Sequence, residues 1–105
     1  MCGINGIIDL YKASLHVVTI NKMNNLLKHR GPDGEGVWND ENIAIGHTRL
    51  SILDLTKSGY QPMISNDSNY VISFNGEIYN FKEFGDFNSD GECIIESYKK
   101  YGDQF

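Results

Sequence analysis

The sequence predicts an α+β fold built on an antiparallel sheet, and three patterns support this prediction. Segments of strand type and helix type do not alternate as βαβ units along the chain. Asn75-Gly76 stands between two apolar runs, which is the strongest short-range signal of a β-hairpin. Residues 89–101 have the capping signal and apolar spacing of a helix.

The first strand and the first helix follow from local pattern. Residues 4–10 are apolar, β-branched and broken by Gly6, as in a buried strand. Thr19 can cap the N-terminus of a helix. The apolar positions with helical spacing are Ile20, Met23, Leu26 and Leu27. This helix should end before Gly31-Pro32, and residues 29–36, with three glycines and a proline, should be irregular.

Strands dominate the prediction for the middle of the chain. Residues 37–38 and 43–47 are predicted as two strands around a turn at residues 39–42. Residues 50–55 alternate only imperfectly and fit either a strand or a loop.

Two further elements complete the predicted fold. Residues 70–74 and 77–79 are expected to pair as a hairpin through a type I′ turn at Asn75-Gly76. Ser89-Asp90-Gly91-Glu92 has the capping-box form, and Gly102 is placed to end the helix. One face of that helix is apolar, with Ile94, Ile95, Tyr98 and Tyr101.

Composition excludes several classes of protein. The chain has 105 residues, 9 basic and 14 acidic, and a net charge of −5, so nucleic acid and anionic membranes would not attract it. No apolar run approaches the roughly 20 residues that span a bilayer. The N-terminus lacks the features of a signal peptide. Cys2 and Cys93 cannot by themselves form a disulfide framework or a structural zinc site. These features predict a single soluble, cytoplasmic domain.

Cys2 is the strongest candidate for chemistry. Removal of Met1 before a small residue would leave a thiol and a free α-amine on one Cα. An α-amine has a pKa of roughly 7.7–8.0, so it can act as a general base near neutral pH. Nucleophile and base would then belong to the same residue. The alternative is that Cys2 is a small apolar residue at the start of a strand.

Three other positions have both a structural and a functional interpretation. Asn75-Gly76 is either a hairpin turn or a pair of hydrogen-bond donors for an oxyanion. Arg49 either makes a surface ion pair or grips a carboxylate with its planar fork. Asp90 either caps a helix or binds a substrate ammonium group.

No metal or phosphate site can be read from the spacing. The three histidines, His16, His29 and His47, lack the spacing of metal ligands. Residues 31–36 are neither a dinucleotide-binding loop nor a P-loop, and we interpret them as a structural loop.

Several short motifs occur in a characteristic order. They are Met1-Cys2-Gly3-Ile4, His29-Arg30-Gly31-Pro32-Asp33, Arg49-Leu50-Ser51-Ile52-Leu53-Asp54, Gln61-Pro62, Asn75-Gly76-Glu77-Ile78-Tyr79-Asn80 and Ser89-Asp90. On these motifs the chain resembles the N-terminal glutaminase domain of glutamine-dependent asparagine synthetases. That domain is a class II glutamine amidotransferase of the N-terminal-nucleophile hydrolase type. Related domains for glucosamine-phosphate and purine synthesis share the Cys-Gly start but do not typically combine all these motifs.

The resemblance implies a fold and a set of residue roles. The fold would be an αββα sandwich of two antiparallel sheets between helical layers, incomplete in this chain. Cys2 would attack the amide of L-glutamine, with Asn75 and Gly76 as the oxyanion hole. The substrate-binding residues would be Arg49 for the α-carboxylate, Glu77 and Asp90 for the α-amino end, and Leu50, Ser51, Ile52 and Leu53 along the pocket.

The resemblance also implies partners and an extent. The glutaminase domain would need no cofactor or metal, whereas ATP and magnesium would belong to an ATP-dependent synthetase domain that residues 1–105 do not contain. Nucleic acid and membranes are not expected partners, and a homodimer is left open. Only eight residues separate Asn80 from Ser89, and the chain stops at Phe105. Residues 1–105 are therefore expected to be a truncated or gapped domain.

Two alternative functions remain at this point. The ammonia could serve another acceptor carboxylate, such as a sugar acid. The chain could also be a non-catalytic truncated domain.

Overall fold

Two antiparallel sheets and two α-helices form the fold in a computed structural model, which describes residues 1–12, 16–52 and 56–105. The strands are β1 (Gly3–Ile8), β2 (Gly34–Asn39), β3 (Ile43–Arg49), β4 (Met63–Ile64) and β5 (Val71–Ile72), and the helices are α1 (Val17–Leu27) and α2 (Asp90–Tyr101). Single 3-10 turns lie at Lys57–Gly59, Phe81–Glu83 and Gly102–Gln104. The predicted α+β class is confirmed, and the arrangement is compatible with part of the αββα sandwich.

Strand β3 is the centre of the larger sheet, whose order is β1-β3-β2. Both neighbours run antiparallel to it, with Gly3 opposite Thr48 on one side and Gly34 opposite Arg49 on the other. The predicted turn between β2 and β3 is confirmed at residues 40–42. The last residues of β3 therefore lie beside the start of both outer strands.

One face of this sheet packs on α1. Ile20 of α1 is fully buried, and the Asn24 amide donates to the Gly36 carbonyl at 3.0 Å. A Cβ built on Gly46 would overlap Asn24 Oδ1, so the absence of a side chain at Gly46 lets the helix approach β3 closely.

The opposite face packs on the second half of the chain. A Cβ on Gly36 would overlap the Gln61 carbonyl, so the backbone before β4 lies directly on β2. Helix α2 covers the small β4-β5 sheet, since a Cβ on Gly91 would lie 3.1 Å from Met63 Cε. These contacts are compatible with the order α1, larger sheet, smaller sheet and α2.

Helix α1 differs from its prediction in its N-cap and in which of its residues are buried. It begins at Val17, and His16 precedes it as the N-cap without a side-chain hydrogen bond, so the predicted cap at Thr19 is wrong. Leu26, expected on the apolar face, is 75% exposed, and Asn24 is buried instead. Close approach to Gly46 and the hydrogen bond to β2 select a polar side chain at that point.

Residues 34–36 were predicted to be irregular, and this prediction is wrong. They form the first half of β2. Glycine is disfavoured in strands unless another part of the chain approaches closely. Gly34 lies beneath the Tyr60 ring and Gly36 beneath Gln61, which supplies that reason.

The predicted hairpin at Asn75-Gly76 is wrong. Strand β5 pairs with β4, so Val71 lies opposite Ile64, and residues 73–78 form neither helix nor strand. A type I′ turn needs positive φ at both central residues, and neither Asn75 nor Gly76 has it. The partner strand therefore comes from earlier in the chain.

Helix α2 starts one residue after the capping residue that its sequence predicts. Ser89 is the N-cap and its hydroxyl accepts from the Glu92 N–H at 3.2 Å, so Asp90 is not the cap. Glu92 in turn accepts from the Asn88 N–H at 2.8 Å. Gly102 ends the helix with φ of 61°, as expected for glycine at a helix terminus. No helix within the described residues is long and apolar enough to cross a membrane.

Gly31 provides a test of this packing. Its ideal Cβ would overlap the backbone of Thr48, so Gly31→Ala should lower the free energy of unfolding by about 1–3 kcal/mol. Gly34→Ala is the matched control, because its Cβ would make ordinary contact with the Tyr60 ring at 3.6 Å. Urea unfolding of both variants measures the difference. Equal stability of the two would contradict the close approach of Gly31 to β3.

Candidate active site

A small cleft opens where β3 ends, between the larger sheet and the N-terminus of α2. Its open volume is about 40 Å³, which is room for a few water molecules. The lining residues are Cys2, Arg49, Leu50, Ser51, Ile52, Gly59, Gln61, Phe74, Gly76, Glu77, Phe81, Ser89 and Asp90. Charged and apolar groups from both halves of the fold therefore face one space.

The Cys2 thiol lies at this cleft because β1 pairs with the end of β3. The backbone N–H of Leu50 donates to Cys2 Sγ at 3.3 Å. The Cys2 thiol in turn donates to the Leu50 carbonyl at 3.8 Å. Cys2 is half-buried. An N–H directed at the sulfur is a donor that a thiolate can use.

The loop after α1 holds the two chain segments that meet at Cys2. Arg30 Nε donates to the Cys2 carbonyl at 3.2 Å. The Asp33 carboxylate accepts from the Ser51 N–H at 2.8 Å, and the Asp33 N–H donates to the Arg49 carbonyl at 2.9 Å. The motif at residues 29–33 thus fixes the backbone on both sides of the thiol.

Arg49 is buried, with 6% of its surface exposed. Its Nη1 donates to the Thr56 carbonyl at 2.7 Å, and its guanidinium lies 4.9 Å from the centre of the Tyr60 ring. This burial does not fit the alternative of a side chain at the exposed surface. The planar fork is held in place by packing, which suits recognition of a carboxylate.

Two carboxylates line the cleft: Glu77 lies in the irregular segment before α2, and Asp90 is the first residue of that helix. Burial raises the pKa of the Glu77 carboxyl, and Asp90 raises it further by its charge and a hydrogen bond, while Arg49 opposes this. Asp90 also accepts from the Ile78 N–H at 3.2 Å. Two acids this close favour a bound cation.

The segment that carries Asn75-Gly76 is held by side chains from elsewhere. His47 Nδ1 lies 2.8 Å from the Ser73 hydroxyl, and the Gln61 side-chain oxygen accepts from the Phe74 N–H at 2.6 Å. Gly76 lines the cleft, whereas Asn75 is exposed and does not line it.

His47 is fully buried beneath this segment. Burial, and then the positive charge of Arg49, lower the pKa of its imidazole from 6.5 to about 4. Its Nε2 has no hydrogen-bond partner among the residues that the structure describes. His47 is therefore neutral at physiological pH.

The structure brings most of the predicted site residues together. Those lining the cleft are Cys2, Arg49, Leu50, Ser51, Ile52, Gly76, Glu77 and Asp90. Asn75 is near but exposed, and Leu53 lies outside the described residues. Sequence reasoning assigned no role to Asp33, His47 or Gln61. Asp33 and Gln61 belong to the quoted motifs, whereas nothing local marks His47.

Neither a metal-binding cluster nor a second cleft with an accessible cysteine is found elsewhere in the described residues. No group of three or more His, Cys, Asp or Glu residues there could hold a metal ion. A larger apolar groove runs along α2, but its cysteine, Cys93, is only 3% exposed.

Comparison with known proteins agrees with this geometry. The family model described as a glutamine amidotransferase domain matches residues 1–105. The chain belongs to the glutamine amidotransferase domain family. The relatives of this amidotransferase domain include a putative glutamine-hydrolysing asparagine synthetase 2 of Methanocaldococcus jannaschii, which is 42% identical over 97% of the chain and 24% of the relative.

Two bacterial relatives extend the comparison. The glutamine-hydrolysing asparagine synthetase 1 of Bacillus subtilis is 37% identical over 99% of the chain and 18% of the relative. The glutamine-hydrolysing asparagine synthetase B of Escherichia coli is 34% identical over 100% of the chain and 21% of the relative. The amidotransferase chain thus spans about a fifth of the length of these relatives.

The lowered pKa of His47 predicts a pH-dependent stability. The unfolded chain takes up this proton near pH 6.5, and the folded chain only near pH 4. Between these values the unfolded state binds more protons, so the contribution to stability is complete above pH 6.5 and is lost as the pH falls toward 4. The loss should be about 1.4 kcal/mol per pH unit and about 3 kcal/mol in all.

Urea unfolding between pH 4 and 7.5 measures this slope in three proteins. His47→Asn should flatten it, whatever its stability at neutral pH. His29→Asn, at an exposed histidine, should keep the wild-type slope. A slope that survives in His47→Asn would mean that other groups cause the pH dependence.

Proposed function

We propose that this chain hydrolyses L-glutamine to L-glutamate and ammonia, with Cys2 as the nucleophile and first residue of the mature chain. The observation that carries the proposal is one cleft lined by a thiol, a buried guanidinium and two carboxylates. Membership of the glutamine amidotransferase domain family supports it.

The charges of the cleft match those of free glutamine. Its α-carboxylate needs a planar cation, which Arg49 offers with a fixed guanidinium. Its α-ammonium needs an anion, and Glu77 and Asp90 are adjacent carboxylates. Burial, and then the charge of Asp90, raise the pKa of Glu77, and an ammonium between the two carboxylates would oppose this rise. The side-chain amide is then left for the thiol.

The reaction follows from the groups on Cys2. Its α-amine takes the thiol proton, and the sulfur attacks the amide carbon to form a tetrahedral adduct. The C–N bond breaks as the amine returns the proton to the leaving nitrogen, which departs as ammonia. Water then attacks the thioester, releasing glutamate and restoring the thiol.

The negative oxygen of the adduct needs hydrogen-bond donors. Gly76 lines the cleft and has no side chain to obstruct the carbonyl. The Asn75 amide is the second proposed donor and must turn inward from its exposed position. The cleft must also widen, because glutamine is several times larger than the few waters that it now admits.

The named activity of the relatives supports a role for the ammonia. They are glutamine-hydrolysing asparagine synthetases, so we propose that the ammonia serves ATP-dependent synthesis of asparagine from aspartate. In this proposal a separate synthetase domain, and not residues 1–105, carries out the synthesis of asparagine. L-Glutamine and a synthetase domain are the proposed partners of the chain.

Cys2→Ala tests the nucleophile in the full-length protein. Glutamine-dependent turnover should fall by more than about a thousandfold because no thioester can form, whereas synthesis from free ammonia should persist. Glutamate release and asparagine formation are measured separately. Cys93→Ala, at the buried cysteine of α2, is the control that should retain both activities. Equal loss of both activities in Cys2→Ala would overturn the nucleophile role.

Arg49→Lys tests recognition of the α-carboxylate. Lysine keeps the charge but loses the fork, so KM for glutamine should rise more than kcat falls. A loss of about 1–2 kcal/mol corresponds to roughly 5- to 30-fold in kcat/KM. Because Arg49 also packs on Tyr60, thermal melts must show that the variant is folded.

A truncated substrate sharpens the Arg49 experiment. 4-Aminobutanamide is glutamine without its α-carboxylate, so Arg49→Lys should weaken its binding hardly at all. Wild type and variant are compared by inhibition of glutamine hydrolysis. An equal penalty for glutamine and 4-aminobutanamide would show that Arg49 does not contact the α-carboxylate.

A further inference from the structure

The segment at residues 73–78 owes its position to side chains rather than to a sheet. Strand β5 ends at Ile72, and the next regular element is the 3-10 turn at Phe81–Glu83. Backbone N–H groups without strand partners need other acceptors when they leave water. Here the acceptors come from other elements: Gln61 for the Phe74 N–H and Asp90 for the Ile78 N–H.

The contact from Gln61 is the shorter of the two. Its side-chain oxygen accepts from the Phe74 N–H at 2.6 Å, one residue before Asn75-Gly76. The backbone of Gln61 is itself seated on the larger sheet, because Gly36 has no Cβ to keep it away. Strand β2 thus lies directly against the residue whose side chain holds Phe74.

His47 supplies a second attachment at the neighbouring residue. Its imidazole is fully buried on β3 and lies 2.8 Å from the Ser73 hydroxyl. Consecutive residues, Ser73 and Phe74, are therefore attached to β3 and to the chain before β4. Such paired attachment limits both translation and rotation of the segment that follows.

We propose that Gln61 is a positioning residue for glutamine hydrolysis, with His47 as the second attachment. By holding Phe74 it fixes the backbone that carries Asn75-Gly76, so that the Gly76 N–H, and the Asn75 amide once its side chain turns inward, can reach the oxyanion. This inference rests on the proposed function and adds the determinant of oxyanion-hole geometry. Gln61 acts through the Phe74 N–H and not on glutamine itself. Small displacements of such donors are costly, because about 1 Å of misplacement can cost about a hundredfold in rate.

Three variants of the full chain test the proposal. Gln61→Met keeps the length of the side chain and removes the acceptor, whereas Gln61→Glu keeps an oxygen at the same place. Asn42→Ala is the matched control, since half-buried Asn42 donates to the Asp9 and Leu10 carbonyls far from the cleft. The measurements are kcat and KM for glutamine, the melting temperature, and hydrogen exchange of the Phe74 amide.

The expected pattern separates positioning from general stability. Gln61→Met should lower kcat about 10- to 100-fold with KM within about threefold, and its Phe74 amide should exchange faster. Gln61→Glu should recover at least about tenfold of the lost kcat and restore the protection of Phe74. Asn42→Ala should melt at a lower temperature with nearly unchanged kcat.

Each other outcome has a distinct meaning. A rise in KM with unchanged kcat in Gln61→Met would show that Gln61 contacts the substrate. Wild-type kinetics in Gln61→Met would show that Gln61 has no role in the reaction. Either result would overturn the proposed positioning role. Equal damage in Gln61→Met and Gln61→Glu would also overturn it. Glutamine hydrolysis by Cys2→Ala would instead reject the proposed function, which keeps the two failures apart.

Discussion

The antiparallel pairing of β1 with β3 places the thiol. Cys2 and Leu50 are 48 positions apart in the chain, yet the register that sets Gly3 opposite Thr48 brings Cys2 Sγ to 3.3 Å from the Leu50 N–H. A slip of one residue would turn every side chain of β1 to the opposite face. The Arg30 contact to the Cys2 carbonyl ties the same end of β1 to the loop after α1.

Polar hydrogen bonds connect the layers of this small domain. Among the described residues, the buried apolar side chains are Ile20, Ala44, Cys93 and Ile95, and the buried polar ones are Asn24, His47, Thr48, Arg49, Ser65 and Ser89. Thr48 donates to the Leu27 carbonyl at 3.2 Å, which joins β3 to α1, and Asn24 joins α1 to β2. Each such bond contributes only about 1 kcal/mol, but an unmade bond costs more, so the network favours a single arrangement.

The two faces of the central strand contact different parts of the fold. Gly46 and Thr48 face α1, whereas His47 and Arg49 face the second half of the chain. The alternation of a β-strand therefore separates the residues that hold the helix from those that build the cleft. In this glutamine amidotransferase domain, a short strand can thus present a buried cation without disturbing the helix behind it.

Local patterns and motif order determined much of this protein. Ser89 begins α2 and Gly102 ends it, each through contacts within one helical turn. The position of the β2–β3 turn could be predicted from the two strands on either side of it. The motifs singled out Cys2, Arg49, Glu77 and Asp90, and the structure places them around one cleft.

Only the tertiary structure decided how the remaining segments pair. Asn75-Gly76 has the local signal of a hairpin, but β5 pairs with β4 and the Phe74 N–H is bonded to Gln61. Gly34 and Gly36 look like loop residues, yet they belong to β2 because Tyr60 and Gln61 lie against them. In both cases contacts between residues distant in the chain outweigh the local preference. The sequence of a short segment does not specify which distant residues it will contact.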